Sequence, residues 1–245
     1  MDNTRTPVLY IVGNYNIDLV MGTLTHWPAQ GTEMMLEHSA LRPGGSAGNC
    51  ALAAAAMQLP HCAVGCQGDD AFTPWLAAQF PGGSARWPQY PCETSLTVAI
   101  THPNKERSFL SNHGHITRLT AGDVLSQLPA AAGEGDIVLL CGTFLCTGLL
   151  SDYPQLLATL RQRGFTLAVD TGWPPQGWSD PLRHEVDRWL GDCDWLLLND
   201  VETLQLAGHP TLAEAAAALA ARLSGRGGCV VKRGADGADC WTTDG

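Results

Sequence analysis

The sequence predicts an α/β fold with a mostly parallel sheet that helices cover on both faces. Short apolar runs alternate with longer runs of helical spacing, and the short runs are apolar throughout instead of alternating with polar residues. Such strands are typical of parallel sheets, because helices bury both of their faces. The chain has 245 residues and a hydrophobic content of 45%, which is enough for one large domain of this kind.

The predicted elements alternate along the chain. The first strand spans residues 8–12 and ends at Gly13, and a helix is predicted over 47–59. Leucines at helical spacing predict a helix over 149–163, and an alanine-rich run predicts another over 212–223. The remaining strands of the sheet are predicted at 137–140, 167–169, 195–198 and 229–231.

A polar residue follows several of the predicted strands. Asp18 comes after the first strand, and three later strands end at or just before Asp170, Asn199 and Lys232. The ligand crevice of an open α/β sheet lies outside the carboxyl ends of its strands, so we expect these residues to converge at one edge. Each of them taken singly is more typical of the start of a loop.

Two segments, 17–42 and 95–112, have strand-like patterns without an intervening helix. The second is interpreted as two strands around a turn at 103–104, and the first is interrupted at Pro28 and Gly31. These segments predict a small antiparallel sheet at the rim of the crevice. Such a sheet serves either as a lid or as a dimer surface.

The composition argues against several kinds of partner. A formal net charge of −10 argues against nucleic acid, because no basic stripe is present to neutralise phosphates. The nine scattered cysteines include no Cys-x-x-Cys pair, which argues against a disulfide framework or a structural zinc site. The sequence shows neither a signal peptide nor an apolar run of about 20 residues, so we expect a cytoplasmic protein without a membrane partner.

The most informative stretch is the run PGGSAGN, which opens the first predicted helix. Gly44 and Gly45 lack side chains, so a ligand can approach their backbone closely. The helix directs free N–H groups and the positive end of its dipole to the same place, where Asn49 adds an amide. This arrangement suits a hydroxyl-rich or anionic small molecule, although glycines that serve only a turn give the same pattern.

Two pairs of polar residues are candidates for ligand contacts. Asn16 and Asp18 belong to a Gly-Asn-x-Asn-x-Asp sequence, whose amides and carboxylate suit sugar hydroxyls; the alternative is a polar turn. Asn199 and Glu202 lie where a strand is followed by a helix, and an amide with a carboxylate can hold phosphate and hydrated Mg²⁺ there. The same pair is typical of a helix capping box.

The run VVKRGADGAD combines a strand with a glycine-containing turn. Gly234 and Gly237 would direct backbone N–H groups at a polyphosphate, and Lys232 would add positive charge; an ordinary hairpin is the alternative. A catalytic Gly-Ala-x-Asp is rejected here, because too few residues remain for a helix to follow. A second such run, Thr120-Ala-Gly-Asp123, is interpreted as a capping box that opens a helix over 124–128.

Several common catalytic patterns are absent from the sequence. It contains no nucleophile elbow or Ser-His-Asp pattern, no P-loop, and no Gly-x-Gly-x-x-Gly after the first strand. The histidines have no metal-site spacing, and His113 and His115 are expected to be solvated or ligand-adjacent at most.

Taken in order, these motifs resemble those of the ribokinase-like (PfkB-type) carbohydrate kinases over essentially the whole sequence. The order is Gly-Asn-x-Asn-x-Asp, Gly-Gly-x-x-x-Asn, VGCQGDD, Asn-x-x-Glu and VVKRGADG. The resemblance implies one Rossmann-like domain over 1–245 with a small β lid formed by 17–42 and 95–112. It also implies transfer of the γ-phosphoryl group of ATP to a primary hydroxyl of a sugar or nucleoside, with Mg²⁺ and a monovalent cation as candidate cofactors.

The resemblance also implies roles for individual residues, and it is compatible with a homodimer formed through the β lid. The residues implied for substrate binding are Asn16, Asp18, Gly44, Gly45 and Asn49. The residues implied for nucleotide binding are Asn199, Lys232, Gly234 and Gly237, and Glu202 is implied for the metal ion.

One motif of that family, Asp-Thr-x-Gly-Ala-Gly-Asp, has no match in this sequence. In the family it supplies an anion hole and the aspartate base, so no catalytic residue is assigned and the base is expected beyond Gly245. We therefore expect a truncated chain with impaired phosphorylation activity. A non-catalytic sugar or nucleoside binder is the alternative, and a nucleotide oxidoreductase is disfavoured by the absent dinucleotide motif.

Overall fold

The strands of the chain are divided between two sheets. A computed structural model describes residues 5–243. In chain order the strands are β1 (Leu9–Gly13), β2 (Asn16–Gly22), β3 (His38–Gly44), β4 (His61–Val64), β5 (Leu96–Thr101), β6 (Arg107–Ser111), β7 (Ile137–Cys141), β8 (Thr166–Asp170), β9 (Trp195–Asn199), β10 (Gly228–Lys232) and β11 (Ala238–Thr242).

The large sheet has seven strands in the order β11-β10-β9-β8-β7-β1-β4. Its neighbouring strands are parallel except for β10 and β11, which pair antiparallel. Tyr10 and Val12 of β1 lie in one buried apolar cluster, whereas Ile11 between them lies in a second cluster. Alternate residues of a strand point to opposite faces, so both faces of this sheet are buried and the predicted fold class is confirmed.

The small sheet has four strands in the order β3-β2-β5-β6. Its central pair, β2 and β5, is parallel, and the two outer pairs are antiparallel. Only Asn14 and Tyr15 separate the end of β1 from the start of β2, so the chain passes directly from one sheet to the other. The predicted second, smaller sheet is confirmed, but the prediction that it is antiparallel is wrong for its central pair, because β2 and β5 are parallel.

Helices connect the strands of the large sheet. They are α1 (Ser46–Ala56), α2 (Thr73–Ala78), α3 (Ala121–Gln127), α4 (Thr147–Leu150), α5 (Tyr153–Gln162), α6 (Asp180–Leu190), α7 (Asp200–Ala207) and α8 (Leu212–Ala220). Within residues 5–243, no helix has both the length and the apolar character that crossing a membrane requires.

The single helix predicted over 149–163 is wrong, because two helices, α4 and α5, occupy this region. Pro154 lies in the first turn of α5. A proline has no backbone N–H, and its ring would clash with the carbonyl of Leu150 four residues earlier if one helix continued through it. The chain therefore turns at 151–152 before the second helix begins.

The ends of three other helices also differ from the prediction, and one of them, α8, ends at Ala220 instead of residue 223. Helix α1 stops at Ala56 instead of residue 59, since Gln58 adopts a positive φ of 56° and Pro60 follows. The capping box at Thr120 forms as predicted: its hydroxyl accepts from the Asp123 N–H, and the Asp123 carboxylate accepts from the Thr120 N–H. The capped helix begins at Ala121, three residues before the predicted start, because a capping box lies directly before the first turn.

Candidate functional site

The carboxyl ends of the parallel strands lie along one edge of the large sheet. The register pairs Gly13 with Cys141, Cys141 with Asp170, and Asn199 with Lys232. The Lys232 Nζ donates to the Asp170 Oδ2 at 2.6 Å, which spans strand β9 between them. Asp170, Asn199 and Lys232 therefore share the same edge of the sheet.

Helix α1 begins at this same edge. The thiol of Cys50 in α1 lies 3.9 Å from the thiol of Cys141 at the end of β7. Gly45 is the N-cap residue of α1, and no side chain caps this helix. The N–H groups of its first turn are consequently available to a ligand, apart from that of Gly48, which donates to the Asn14 carbonyl.

Gly44 and Gly45 are required because the Asn-x-Asn-x-Asp sequence packs closely against them. Gly45 has φ 86° and ψ 155°, a region that is essentially restricted to glycine. A Cβ at Gly45 would overlap the Asn14 carbonyl and the Asn16 amide oxygen. A Cβ at Gly44 would overlap the Asp18 carboxylate. The run of glycines is therefore packed against the Asn-x-Asn-x-Asp sequence, as well as opening α1.

Asn16 and Asp18 lie on β2, not in a loop, and they are joined by a hydrogen bond. The Asn16 Nδ2 donates to the Asp18 Oδ1 at 2.8 Å. Burial raises the pKa of the Asp18 carboxyl, and the hydrogen bond from Asn16 and the nearby Arg107 act in the opposite direction. The polar-turn interpretation of these residues is wrong, because the chain enters the small sheet at Asn16.

A polar cavity of about 260 Å³ lies between the small sheet and the edge of the large sheet. It is lined by Asn14, Asn16, Ser95, Thr97, Ser111, Asn112, His113, Ile116, Thr117, Phe144, Leu145, Thr147 and Pro175. Asn14 is 3% exposed, and its Oδ1 has no hydrogen-bond partner among the described residues. An unpaired buried acceptor is costly, so this atom suits a ligand that carries a hydroxyl donor.

Most of the cavity wall was missed by the sequence interpretation. Ser95 directly precedes β5, Thr97 lies on β5 and Ser111 lies on β6. Only the folding of the small sheet brings these residues to Asn16. The signal for Asn14 was present, since it is the first Asn of the quoted Gly-Asn-x-Asn-x-Asp sequence.

His115 is fully buried, so the interpretation of this residue as solvated or ligand-adjacent is wrong. Its Nδ1 accepts from the Ser95 N–H, and its Nε2 lies 3.0 Å from the Tyr15 carbonyl. Burial lowers the pKa of His115 to about 4, so the ring is neutral and donates from Nε2. His115 thereby fixes the small sheet to the segment between β1 and β2.

Further along the same edge of the large sheet, Asn199 and Glu202 form a capping box for α7. The Asn199 Oδ1 accepts from the Glu202 N–H at 2.8 Å, and the Glu202 Oε2 accepts from the Asn199 N–H at 2.9 Å. Glu202 is buried, and burial raises the pKa of its carboxyl, with Asp170 adding a smaller increase. The interpretation of this pair as a helix capping box is therefore correct. The capping box leaves the Asn199 amide nitrogen and the Glu202 Oε1 available for a ligand.

Gly234 and Gly237 lie in the turn between β10 and β11, directly after Lys232. Both have a positive φ, 58° and 90°, and a Cβ at either would meet nothing within 4 Å. The Arg233 N–H donates to the Gly237 carbonyl at 2.8 Å, which closes the hairpin. A strand follows this turn, so no helix begins at the run GADGAD.

The predicted site residues form two groups along the edge. Asn16, Asp18, Gly44 and Gly45 contact one another, while Asn49 is exposed near the start of α1. The second group consists of Asn199 at the end of β9, Glu202 in the first turn of α7, Lys232 at the end of β10, and Gly234 and Gly237 in the turn beyond it. Asp170 connects them, because it pairs with Lys232 and also interacts electrostatically with Cys50 and Glu202.

The donor set around Glu202 suits a hydrated magnesium ion. Glu202 has a free carboxylate oxygen, Asp170 is nearby, and magnesium in proteins commonly keeps several waters and few direct protein ligands. Within residues 5–243, no three His, Cys, Asp or Glu side chains converge in a way that would enclose a metal ion. Binding through water is therefore the mode that this donor set suits.

The pfkB family carbohydrate kinase model matches residues 8–245 of the chain. No curated protein sequence is significantly similar. Among solved structures, Arabidopsis thaliana ribokinase complexed with ribose and ATP is 19% identical with a TM-score of 0.74, over 98% of this chain and 76% of that one. Salmonella enterica aminoimidazole riboside kinase is 19% identical with a TM-score of 0.68, over 97% and 74% of the two chains.

A third structure is a double mutant of Vibrio cholerae fructokinase, in a form bound to fructose, ADP and a potassium ion. It is 21% identical with a TM-score of 0.73, over 98% of this chain and 74% of that one. These likenesses establish a shared fold. Since the family model also covers almost the whole sequence, the chain belongs to the PfkB family of carbohydrate kinases.

Proposed function

We propose that the chain binds a sugar or sugar-like alcohol in the polar cavity and takes part in transfer of the γ-phosphoryl group of ATP to one of its hydroxyls. The observation that carries the proposal is Asn14, which lines that cavity and whose buried Oδ1 has no hydrogen-bond partner among the described residues. A substrate hydroxyl would satisfy this acceptor. The ribose, riboside and fructose named for the three kinase structures are all rich in hydroxyls.

The substrate side of the proposal rests on the first group of residues. Asn16 and Asp18 would accept and donate hydrogen bonds to hydroxyls, since Asp18 keeps one carboxylate oxygen free of its bond to Asn16. Of the residues implied for substrate binding, only Asn16 lines the cavity itself; Asp18, Gly44, Gly45 and Asn49 would contact the part of a substrate that extends beyond it. The small sheet would act as the lid of the cavity, because Thr97 and Ser111 on its strands form part of the cavity wall.

The nucleotide side of the proposal rests on the second group. Lys232 would neutralise phosphate charge, and the turn with Gly234 and Gly237 would offer backbone N–H groups to the nucleotide. Asn199 would bind phosphate through its amide nitrogen, and Glu202 would hold Mg²⁺ through water. A monovalent cation is proposed as a further cofactor, supported by the potassium ion of the fructokinase structure.

In the transfer, a substrate hydroxyl oxygen forms a bond to the γ-phosphorus, the bond from that phosphorus to the ADP oxygen breaks, and the hydroxyl proton is released. Positioning and charge neutralisation supply most of the rate in such reactions. We also propose that the 245-residue chain turns over slowly, because its sequence has no Gly-Ala-Gly-Asp element to supply a base. General-base catalysis contributes about 10²- to 10⁴-fold, which sets the expected loss.

The proposal is tested by titrating the chain with ribose, fructose, a ketodeoxy sugar acid and nucleosides in a calorimeter, and by measuring ADP release with each. We expect at least one compound to bind and to raise ADP release slowly above the rate with ATP alone. If no compound binds, the proposal is wrong. Binding without any product would instead identify a non-catalytic binder, the second candidate, which the absent aspartate element favours.

Two substitutions at Asn199 separate its capping role from a role in nucleotide binding. Asn199→Ala should lower the free energy of unfolding by about 1 kcal/mol through loss of the cap, and it should weaken ATP binding. Asn199→Ser keeps a capping oxygen, so stability should return while ATP affinity should not. Chemical denaturation and calorimetry measure the two effects, and recovery of both by serine would restrict Asn199 to the cap.

A homodimer through the small sheet is also proposed. Phe109 is 61% exposed, and Leu110 and Leu41 on the same sheet are exposed as well. Phe109 and Leu110 lie on the edge strand β6 and Leu41 lies on the opposite edge strand β3, so both edges of the sheet present exposed apolar side chains that a second copy could cover.

A further inference from the structure

Two free thiols lie in contact at the sheet edge that carries the proposed sites. The Cys141 thiol at the end of β7 donates to the Cys50 Sγ on α1 at 3.9 Å. Other buried thiols, such as those of Cys66 and Cys193, donate instead to backbone carbonyls. Cys50 and Cys141 are 91 positions apart in the sequence, so only the folding of α1 onto the sheet brings the two sulfurs together.

The two thiols differ in exposure and in ionisation. Cys50 is half-buried, whereas Cys141 is 2% exposed. The hydrogen bond from Cys141 lowers the pKa of Cys50, and the nearby Lys232 acts in the same direction; that same bond, together with burial, raises the pKa of Cys141. Cys50 is thus the thiol that an oxidant in solution reaches first, and it has the larger thiolate fraction of the two.

Asn14 lies between the two elements that carry these thiols. Its carbonyl accepts from the Gly48 N–H in the first turn of α1 at 3.3 Å. On the other side, Gly142 follows Cys141 and lies so close to the Asn14 Oδ1 that a Cβ there would overlap it. The sulfurs of a disulfide are about 2 Å apart, so the two thiols must approach by about 2 Å to form one. The packing at Asn14 leaves α1 no room to follow that approach without displacing Asn14.

We propose that Cys50 and Cys141 are a site of reversible oxidation, at which hydrogen peroxide converts the pair to a disulfide that weakens sugar binding by displacing Asn14. The Cys50 thiolate attacks one peroxide oxygen; the S–O bond forms, the O–O bond breaks, and the hydroxide released takes up a proton to give water. The Cys141 sulfur then attacks the sulfenic sulfur; the S–S bond forms, the S–O bond breaks, and the hydroxyl leaves with the Cys141 proton as a second water. The two thiols supply the two electrons that the peroxide gains. The effect on binding rests on the proposed function, whereas the oxidation does not.

The oxidation is tested on the full chain, which is first reduced and then treated with hydrogen peroxide. Tandem mass spectrometry should locate a disulfide between Cys50 and Cys141, and dithiothreitol should remove it. Cys50→Ser should form no such bond, whereas Cys240→Ser, at an exposed position on β11, should still form it. A treated chain in which Cys50 and Cys141 remain unlinked would overturn the inference.

The effect of the bond is measured at Asn14 and on sugar binding. In two-dimensional nitrogen–proton NMR, oxidation should shift the backbone amides of Asn14 and Gly48. Calorimetry with ribose, fructose, a ketodeoxy sugar acid and nucleosides should show that the compound bound by the reduced chain binds about tenfold more weakly after oxidation, as expected for loss of one hydrogen bond to Asn14. Cys50→Ser should bind that compound equally before and after peroxide.

A disulfide that leaves the Asn14 amide and the sugar affinity unchanged would overturn the proposed effect of the bond. If the reduced chain binds none of the compounds, the proposed function fails. The mapped disulfide and the Asn14 amide shift then still decide whether the two thiols form a bond that displaces Asn14.

Discussion

Replacing Gly45 with alanine is expected to abolish sugar binding and to lower the free energy of unfolding by about 3 kcal/mol. The residue has φ 86° and ψ 155°, and a Cβ there would overlap the backbone carbonyl of Asn14. A backbone atom cannot rotate away as a side chain can, so either the start of α1 or the Asn14–Asn16 segment must move. Both carry groups of the proposed sugar site.

Gly225→Ala is the matched control for this prediction. Gly225 has a closely similar φ of 81°, but a Cβ there would meet nothing within 4 Å. Its substitution should cost about 1 kcal/mol from backbone strain alone and should leave sugar affinity unchanged. Urea denaturation and calorimetry of both variants provide the comparison. Equal losses of stability in the two variants would show that the overlap with the Asn14 carbonyl adds nothing to the cost of alanine at position 45.

Asp18→Asn is expected to weaken sugar binding by about 10- to 100-fold while leaving the fold as stable as before or slightly more so. The loss of affinity follows from the loss of charged hydrogen bonds, which contribute about 1.5 to 3 kcal/mol each. Stability does not fall, because burial disfavours the ionised carboxylate and asparagine can still accept from the Asn16 Nδ2. Asp152→Asn, at an exposed position between α4 and α5, is the control that should change neither property.

The pH dependence of the same residue has a defined sign. The pKa of Asp18 is raised above its ordinary value, so its carboxyl favours the protonated form in the folded chain. Its contribution to stability is therefore present at low pH and is lost as the pH rises through the raised pKa. Sugar affinity should change in the opposite direction, falling as the pH drops through that pKa. The Asp18→Asn variant should lose this fall in sugar affinity at low pH. If the variant keeps the fall, another titrating group causes it.

The parallel sheet was predictable because its signal is local. Most strands of the large sheet, such as Leu9–Gly13 and Gly228–Lys232, are short apolar runs, and the capping boxes at Thr120 and Asn199 are visible within four residues. Helix α6 and strand β4 were not predicted. Only three residues of α6 are buried, Val186, Trp189 and Leu190, so its apolar face is narrow although it has helical spacing, and β4 has only four residues.

The candidate site was predictable only in part, because its walls come from distant segments. The Gly44–Gly45 pair and the Asn-x-Asn-x-Asp sequence are visible as motifs, yet nothing local shows that Gly44 packs on Asp18. Thr97 reaches Asn16 across 81 residues of sequence, through pairing of β2 with β5. The burial of His115 likewise depends on contacts with Tyr15, 100 residues away.

The central claim is that an acceptor and ATP are bound by two groups of residues along one sheet edge. Backbone amide shifts in two-dimensional nitrogen–proton NMR, recorded with the sugar alone and then with ATP and Mg²⁺, test it residue by residue. We predict that the sugar shifts the amides of Asn16, Asp18, Gly44 and Gly45, and that the nucleotide shifts those of Asn199, Lys232, Gly234 and Gly237. Shifts confined to the opposite end of the strands, or the same residues responding to both ligands, would contradict the account.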